Sequence, residues 1–247
     1  MQSQYGHDFY ADRHRKTADA ARNILAIVAS ALPPIDAAID FGCGVGTWLS
    51  VLRERGAGDV LGLDGPWVER ALLQIPPDRF QEANFEQPIA LQRRYDLAIT
   101  LEVAEHVSPP LAGRFVDTLT AASDFVLFSA AVPHQGGVGH VNEQWPEYWA
   151  ALFSERGYEP LDFVRRRIWG DDTIPYWYRQ NLLVFVRRER LGDVHIDGND
   201  SRGSGVNALI HPELYLAKVE EMSSLKGSWR LLRHALRREF QRGFRGH

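Results

Sequence analysis

Glu102, Glu105 and His106, followed by His134, His140 and Glu143, are residue types that move protons or hold metal ions. A histidine paired with a carboxylate can act as a general base, with His134 or His140 as the base and Glu143 as the residue that orients its ring. A helix begun at Glu102 would project Glu102, Glu105 and His106 on one face, at spacing i, i+3, i+4, where they could share a divalent cation with His140. A second group lies upstream, in Ala38-Ile39-Asp40-Phe41-Gly42-Cys43-Gly44-Val45-Gly46-Thr47. Gly42, Gly44 and Gly46 let backbone approach a ligand closely, because no side chain obstructs it. A third feature, Asp64 followed by Gly65, falls roughly 20 residues beyond the glycines, where α/β nucleoside sites place an acid that accepts from two neighbouring hydroxyls.

The elements that must position these residues are legible as an alternation of strands and helices. Ile39 and Phe41 close a buried strand, the glycines turn, and Trp48, Leu49, Val51 and Leu52 have helical spacing. Further strands are predicted at 60–64, 79–85, 95–101 and 125–130, with a final antiparallel pair at 161–164 and 182–186. Ahead of the first strand, Ile24, Leu25, Ile27 and Val28 mark a helix stopped by Pro33-Pro34. The aromatic stripe Trp145, Tyr148, Trp149, Phe153 reads as core at helical spacing, and Trp169–Tyr178 reads as an aromatic loop that walls a site or buries itself.

A dinucleotide fingerprint would need glycine at position 47, where the chain has Thr47. The D-x-G-x-G-x-G pattern of Asp40–Gly46 instead resembles motif I of the class I S-adenosylmethionine (SAM) methyltransferases. Leu101-Glu102-Val103-Ala104-Glu105-His106-Val107 resembles motif IV of members akin to ubiquinone-pathway O-methyltransferases. The resemblance covers roughly residues 36–130. It implies an α/β fold: a Rossmann-like, seven-stranded, mostly parallel sheet flanked by helices. It implies SAM bound by Asp40, Gly42, Gly44, Gly46, Asp64, Gly65, Leu101, Glu102 and His106. Asn84 and Phe85 fall where the family often has an acid and an apolar residue against adenine; Asn84 keeps an acceptor in its amide oxygen. The first helix resembles a lid over SAM, with Tyr10 and Arg13 at its charged amino-acid end, or packs on the sheet edge.

Methyl transfer from a sulfonium needs an acceptor atom aligned with the methyl within about 3–3.5 Å. A hydroxyl acceptor must also lose its proton, by a histidine base or at a metal. The E-x-x-E-H pattern resembles that of small-RNA 2′-O-methylating enzymes, where a distant histidine completes a magnesium site. Spacing leaves three readings open: a lone histidine base; Mg²⁺ or another divalent cation on Glu102, Glu105, His106 and His140; or neither. The expected acceptor is a hydroxylated small molecule, a sugar or natural-product intermediate. An amine or carbon acceptor, and a SAM-binding scaffold without catalysis, are the alternatives.

The 247 residues suit one large α/β domain with an appendage. A formal net charge of −4 disfavours nucleic acid as partner. The single cysteine, Cys43, excludes an intramolecular disulfide and reads as structural. No apolar run approaches membrane-spanning length and no signal peptide is evident, so a cytoplasmic protein is expected. Three regions are expected: a lid-helix region at 1–34, a SAM-binding catalytic domain at 35–188, and a linker with a basic C-terminal helical extension at 189–247. That extension suits a membrane surface, a partner, a second copy of the chain in a homodimer, or packing on its own domain.

Overall fold

The computed structural model describes residues 7–196, 207–224, 227–229 and 232–233, with the side chains of residues 7–16 outside the description. Two compact units divide at Leu209 and Ile210. The first contains β1 (Ala37–Phe41), β2 (Asp59–Asp64), β3 (Phe80–Glu82), β4 (Leu97–Leu101), β5 (Phe125–Ser129), β6 (Tyr158–Leu161) and β7 (Leu183–Arg187). Its helices are α1 (His7–Ala31), α2 (Thr47–Glu54), α3 (Ala112–Ala122), α4 (Pro146–Ser154), α5 (Val164–Ile168) and α6 (Tyr176–Asn181).

The seven strands form one sheet in the order β3-β2-β1-β4-β5-β7-β6. All pairs are parallel except those of β7 with β5 and with β6. Strand order reverses between β1 and β4, so the ends of β1, β2 and β4 open onto one crevice. Both faces of the sheet are covered, which is why β1 and β5 are buried at every position. One face packs Ala38, Ile99 and Leu127 against α1 and α2 residues Leu25, Val28, Leu49 and Leu52. The other packs Ile39, Phe41, Val126 and Phe128 against α3 and α4. There Phe153 stacks on Phe185 at 3.8 Å between ring centroids, and Trp149 meets Phe128 at 5.4 Å. The 145–153 stripe is thus core at Trp149 and Phe153, each worth about 1.5–3 kcal/mol of burial, whereas Trp145 remains exposed.

The sixth strand lies at 158–161 rather than 161–164. Tyr158 pairs with Arg187 and Leu161 with Val184, and Pro160 is tolerated because this is the sheet edge. The chain then turns, because Arg165, almost wholly buried, reaches back to both oxygens of Asp162. Nor does the first unit stop near Arg188. Residues Arg188–Asp193 form a 3-10 turn, Val194 is buried in the core, and His195 N–H donates to Ala31 O at 2.8 Å. Within the expected linker, residues 197–206 lie outside the described ones, as does most of the basic run after Ser224. The second unit contributes α7 (Pro212–Ser223), whose start is capped by the His211 ring accepting from Glu213 N–H. Among the described residues, no helix is long and apolar enough to cross a membrane.

Candidate active site

A cleft of about 970 Å³ occupies the crevice, lined by the glycine turn, Asp40, Asp64, the 83–86 loop and Leu101–Val103, with Trp177 and Tyr178 of α6. Gly42, Gly44 and Gly46 all have positive φ, at 88°, 53° and 82°. They are not equivalent. A Cβ on Gly42 would meet Val103 Cγ2 at 2.2 Å and one on Gly46 would meet Ile75 at 2.9 Å, whereas one on Gly44 would find only open space. Gly42 and Gly46 are therefore demanded by packing as well as by their φ, whereas at Gly44 it is the left-handed φ that calls for glycine and the space above it stays open. Gly46 also caps α2 with no side-chain hydrogen bond, so the helix start faces the cleft unblocked.

Asp64 ends β2 with its carboxylate against the glycine turn. It accepts from Gly44 N–H at 2.7 Å and from Gly65 N–H at 2.6 Å. Burial pushes its pKa up, partly offset by these two bonds. Asp40 is buried beneath it, with Oδ2 lacking a partner; burial and the neighbouring Asp64 hold its carboxyl well above the usual range. Burial likewise pushes the Cys43 thiol up, in keeping with a structural role. Trp67 was not anticipated. Its ring lies over Gly65, where a Cβ would meet it at 2.2 Å, and 78% of the residue is exposed. The Asp-Gly-Pro-Trp run directly after a strand end was the available signal.

Other expected donor contacts are redistributed. Asn84 lines the cleft, but its amide oxygen accepts from Glu86 N–H at 2.9 Å and closes a turn. Phe85 lines the cleft and also packs on Phe41 and Phe115. Leu101 is half-buried on the wall. Tyr10 and Arg13 fall on the first turns of α1, and their side chains lie outside the described residues; Thr17, further along α1, does reach the cleft.

The segment after β4 departs from the expected helix. Glu102 adopts a left-handed φ of 57°, and Ala104–His106 form only a 3-10 turn. Ser129 takes the Glu102 N–H at both its carbonyl and its hydroxyl, which bends the chain here. Glu102 consequently turns away from its neighbours, its carboxylate accepting from Gln135 Nε2 at 2.7 Å and Asn181 Nδ2 at 3.0 Å. Glu105, His106 and His140 do converge: each offers one ligand atom, and these atoms lie within 4.8 Å of one another. Glu105 is fully buried and neither carboxylate oxygen has a hydrogen-bond partner. Burial and the Glu102 charge push its pKa up to about 9.

The loop after β5 carries the rest. Glu105 O accepts N–H bonds from Val141 and Asn142, which docks the loop beside the 3-10 turn. The His140 ring meets His106 edge to face at 4.9 Å, and it lies directly over Gly137, where a Cβ would force the ring to move. Glu143 accepts from His140 Nδ1 at 2.9 Å and from the backbone N–H groups of Gly136 and His134. Burial opposes the charge, but these bonds hold the Glu143 carboxyl below its ordinary range. The His134 residue itself is exposed, and it is its backbone that joins this arrangement.

Residues 11–156 match the model of a family described as "Methyltransferase domain". The chain belongs to this family, and its sheet and glycine turn place it among the class I SAM-dependent methyltransferases, whose methyl donor is SAM. Magnesium protoporphyrin IX methyltransferase from Synechocystis PCC 6803, crystallised with S-adenosylhomocysteine, is 20% identical with a TM-score of 0.52 over 76% of this chain and 90% of that one. A putative methyltransferase complexed with the Trm112 activator of Haloferax volcanii gives 14% and 0.53 over 78% and 97%. An O-methyltransferase family protein from Burkholderia thailandensis gives 12% and 0.51 over 73% and 57%. These likenesses are of fold. Among curated proteins no sequence matches.

Proposed function

We propose that this protein moves the methyl group of SAM to a hydroxyl of a small molecule, a sugar or a natural-product intermediate. The reading rests on His140, held by Glu143 at 2.9 Å and in edge-to-face contact with His106, which lines the donor cleft. In the reaction the acceptor oxygen bonds to the methyl carbon as the carbon–sulfur bond breaks, and the thioether leaves neutral. The hydroxyl proton must go to a base. With Glu143 accepting Nδ1–H, His140 Nε2 is the ring nitrogen left to take that proton.

A second reading is favoured by Glu105, whose buried carboxylate has no hydrogen-bond partner and whose Oε1 lies 3.8 Å from His140 Nε2. Two imidazoles and a buried carboxylate fit a divalent cation, so Glu105, His106 and His140 would hold it. Such a cation, when bound, polarises a hydroxyl and eases its ionisation. Glu102 stands outside that donor set, its oxygens already engaged by two amides.

The test is methyl transfer from labelled SAM to a panel of sugars, phenols and natural-product alcohols, with amines as controls. Wild type should label a hydroxyl, and His140→Ala should lower turnover roughly 10²-fold while SAM affinity stays within a few-fold. Full activity in His140→Ala would remove the histidine from both readings. Label on amines alone would replace the hydroxyl acceptor, and no label on any acceptor would favour a scaffold.

A further inference from the structure

Four polar side chains meet at the C-terminal ends of β4 and β5, beside the start of the antiparallel β7, and their hydrogen bonds run one way. Gln135, Gln180 and Asn181 are each at least nine-tenths buried. Gln180 Nε2 donates to Gln135 Oε1 at 3.3 Å and to Asn181 Oδ1 at 2.9 Å. Asn181 Nδ2 donates onward to Gln135 Oε1 at 2.9 Å and Glu102 Oε1 at 3.0 Å, and Gln135 Nε2 donates to Glu102 Oε2 at 2.7 Å. Glu102 is where these donors end. A carboxylate suits that place because, ionised, it only accepts. Buried polar networks of this kind specify one arrangement when every member is satisfied. The left-handed backbone of Glu102 is what aims its side chain at the amides.

The partners belong to two different segments. Gln135 sits in the loop that carries His140, and Asn181 ends α6, which supplies Trp177 and Tyr178 to the cleft. We propose that Glu102 is a positioning residue, locking the 132–145 loop to α6 so that His140, behind the cleft-lining His106, and the aromatic wall of Trp177 and Tyr178 keep a fixed spacing. The functional consequence rests on the reading of His140 given above; the lock itself does not.

The experiment is hydrogen–deuterium exchange of the full chain, together with the His140 ring resonance in histidine-labelled protein. Glu102→Gln turns an amide donor onto donors, and exchange in 132–145 and 176–182 should rise together about tenfold, with broadening of the His140 signal. The double variant Glu102→Gln/Gln135→Glu keeps a carboxylate facing the amides and moves it onto the loop, so it should restore both segments to within a few-fold. If Glu102→Gln fails to fold, Gln135→Ala cuts the link without opposing two donors and should loosen the same two segments. Unchanged exchange in Glu102→Gln, loosening of one segment alone, or a double variant no better than the single would overturn the proposal. Neither readout uses an acceptor. A negative result here therefore leaves methyl transfer standing, and a failed acceptor screen leaves the lock standing.

Discussion

Glu143 binds His140 Nδ1 at 2.9 Å, and the same oxygen accepts Gly136 N–H at 2.7 Å, while its other oxygen takes His134 N–H at 2.8 Å. One carboxylate thus folds the loop and selects the histidine tautomer. The ring is oriented before any acceptor arrives, which is what a base or a metal ligand needs.

The two readings of His140 part over chelation. On the metal reading, EDTA should abolish turnover and a divalent cation restore it, and Glu105→Gln should imitate EDTA. Calorimetry of Mn²⁺ binding gives an independent measurement, with loss of binding expected in Glu105→Gln and in His106→Ala. Turnover indifferent to EDTA, with no cation bound, leaves the lone base.

Asp64→Ala should weaken SAM binding at least tenfold, from lost hydrogen bonds worth about 1.5–3 kcal/mol. It also releases the Gly44 and Gly65 N–H groups that now hold the carboxylate. Calorimetry with an intact fold decides; unchanged affinity would take Asp64 out of the donor site.

The three glycines should separate by phenotype. Gly42→Ala should lower the melting temperature, because its Cβ would strike Val103. Gly44→Val meets no clash but strains a left-handed φ of 53°, so it should lower the melting temperature as well, while its side chain, projecting into open space in the cleft, should make it bind SAM poorly. Normal SAM binding by Gly44→Val would contradict the loop's role.

Asp40 makes the empty fold sensitive to pH. An acid whose folded pKa is raised stabilises the fold fully only below its unfolded value, near 3.8, and that contribution falls away as pH climbs toward the folded pKa. Asp40→Asn should therefore raise the melting temperature of ligand-free protein, and by more at pH 8 than at pH 5. A gain independent of pH would show that Asp40 does not titrate as its burial implies.

Truncation separates the two compact units. A chain ending at Leu209 should remain folded and bind SAM. One ending at Arg188 loses Val194 from the core, the Arg190–Asp124 pair and the Asn207 carbonyl that Arg165 donates to, so it should melt lower or aggregate. Equal stability of the two would restore the domain end to Arg188.

Sequence made the glycine turn and the acid after β2 legible because both depend on short local patterns. Those patterns hold wherever a parallel strand feeds a helix over a ligand. The E-x-x-E-H segment misled for a physical reason: its spacing suits a helix, but Ser129 on the neighbouring strand captures Glu102 N–H and bends the chain. Gln135, Gln180 and Asn181 went unread because a buried amide and a solvated one are the same letter. The strand predicted at 161–164 lies at 158–161, where Pro160 is accommodated because β6 is the sheet edge.

The cleft's described lining includes Asp40, Asp64, Glu69, Glu86 and Glu102, and no lysine or arginine. The donor that enters carries a sulfonium charge, and the thioether that leaves has lost it. Burial raises the pKa of Asp40, Asp64 and Glu102, so it is attraction from whichever of these acids are ionised that acts on one and largely lapses for the other. An acidic cleft is therefore expected to discriminate between the cationic donor and the neutral thioether, and calorimetry of the two with the same protein checks it.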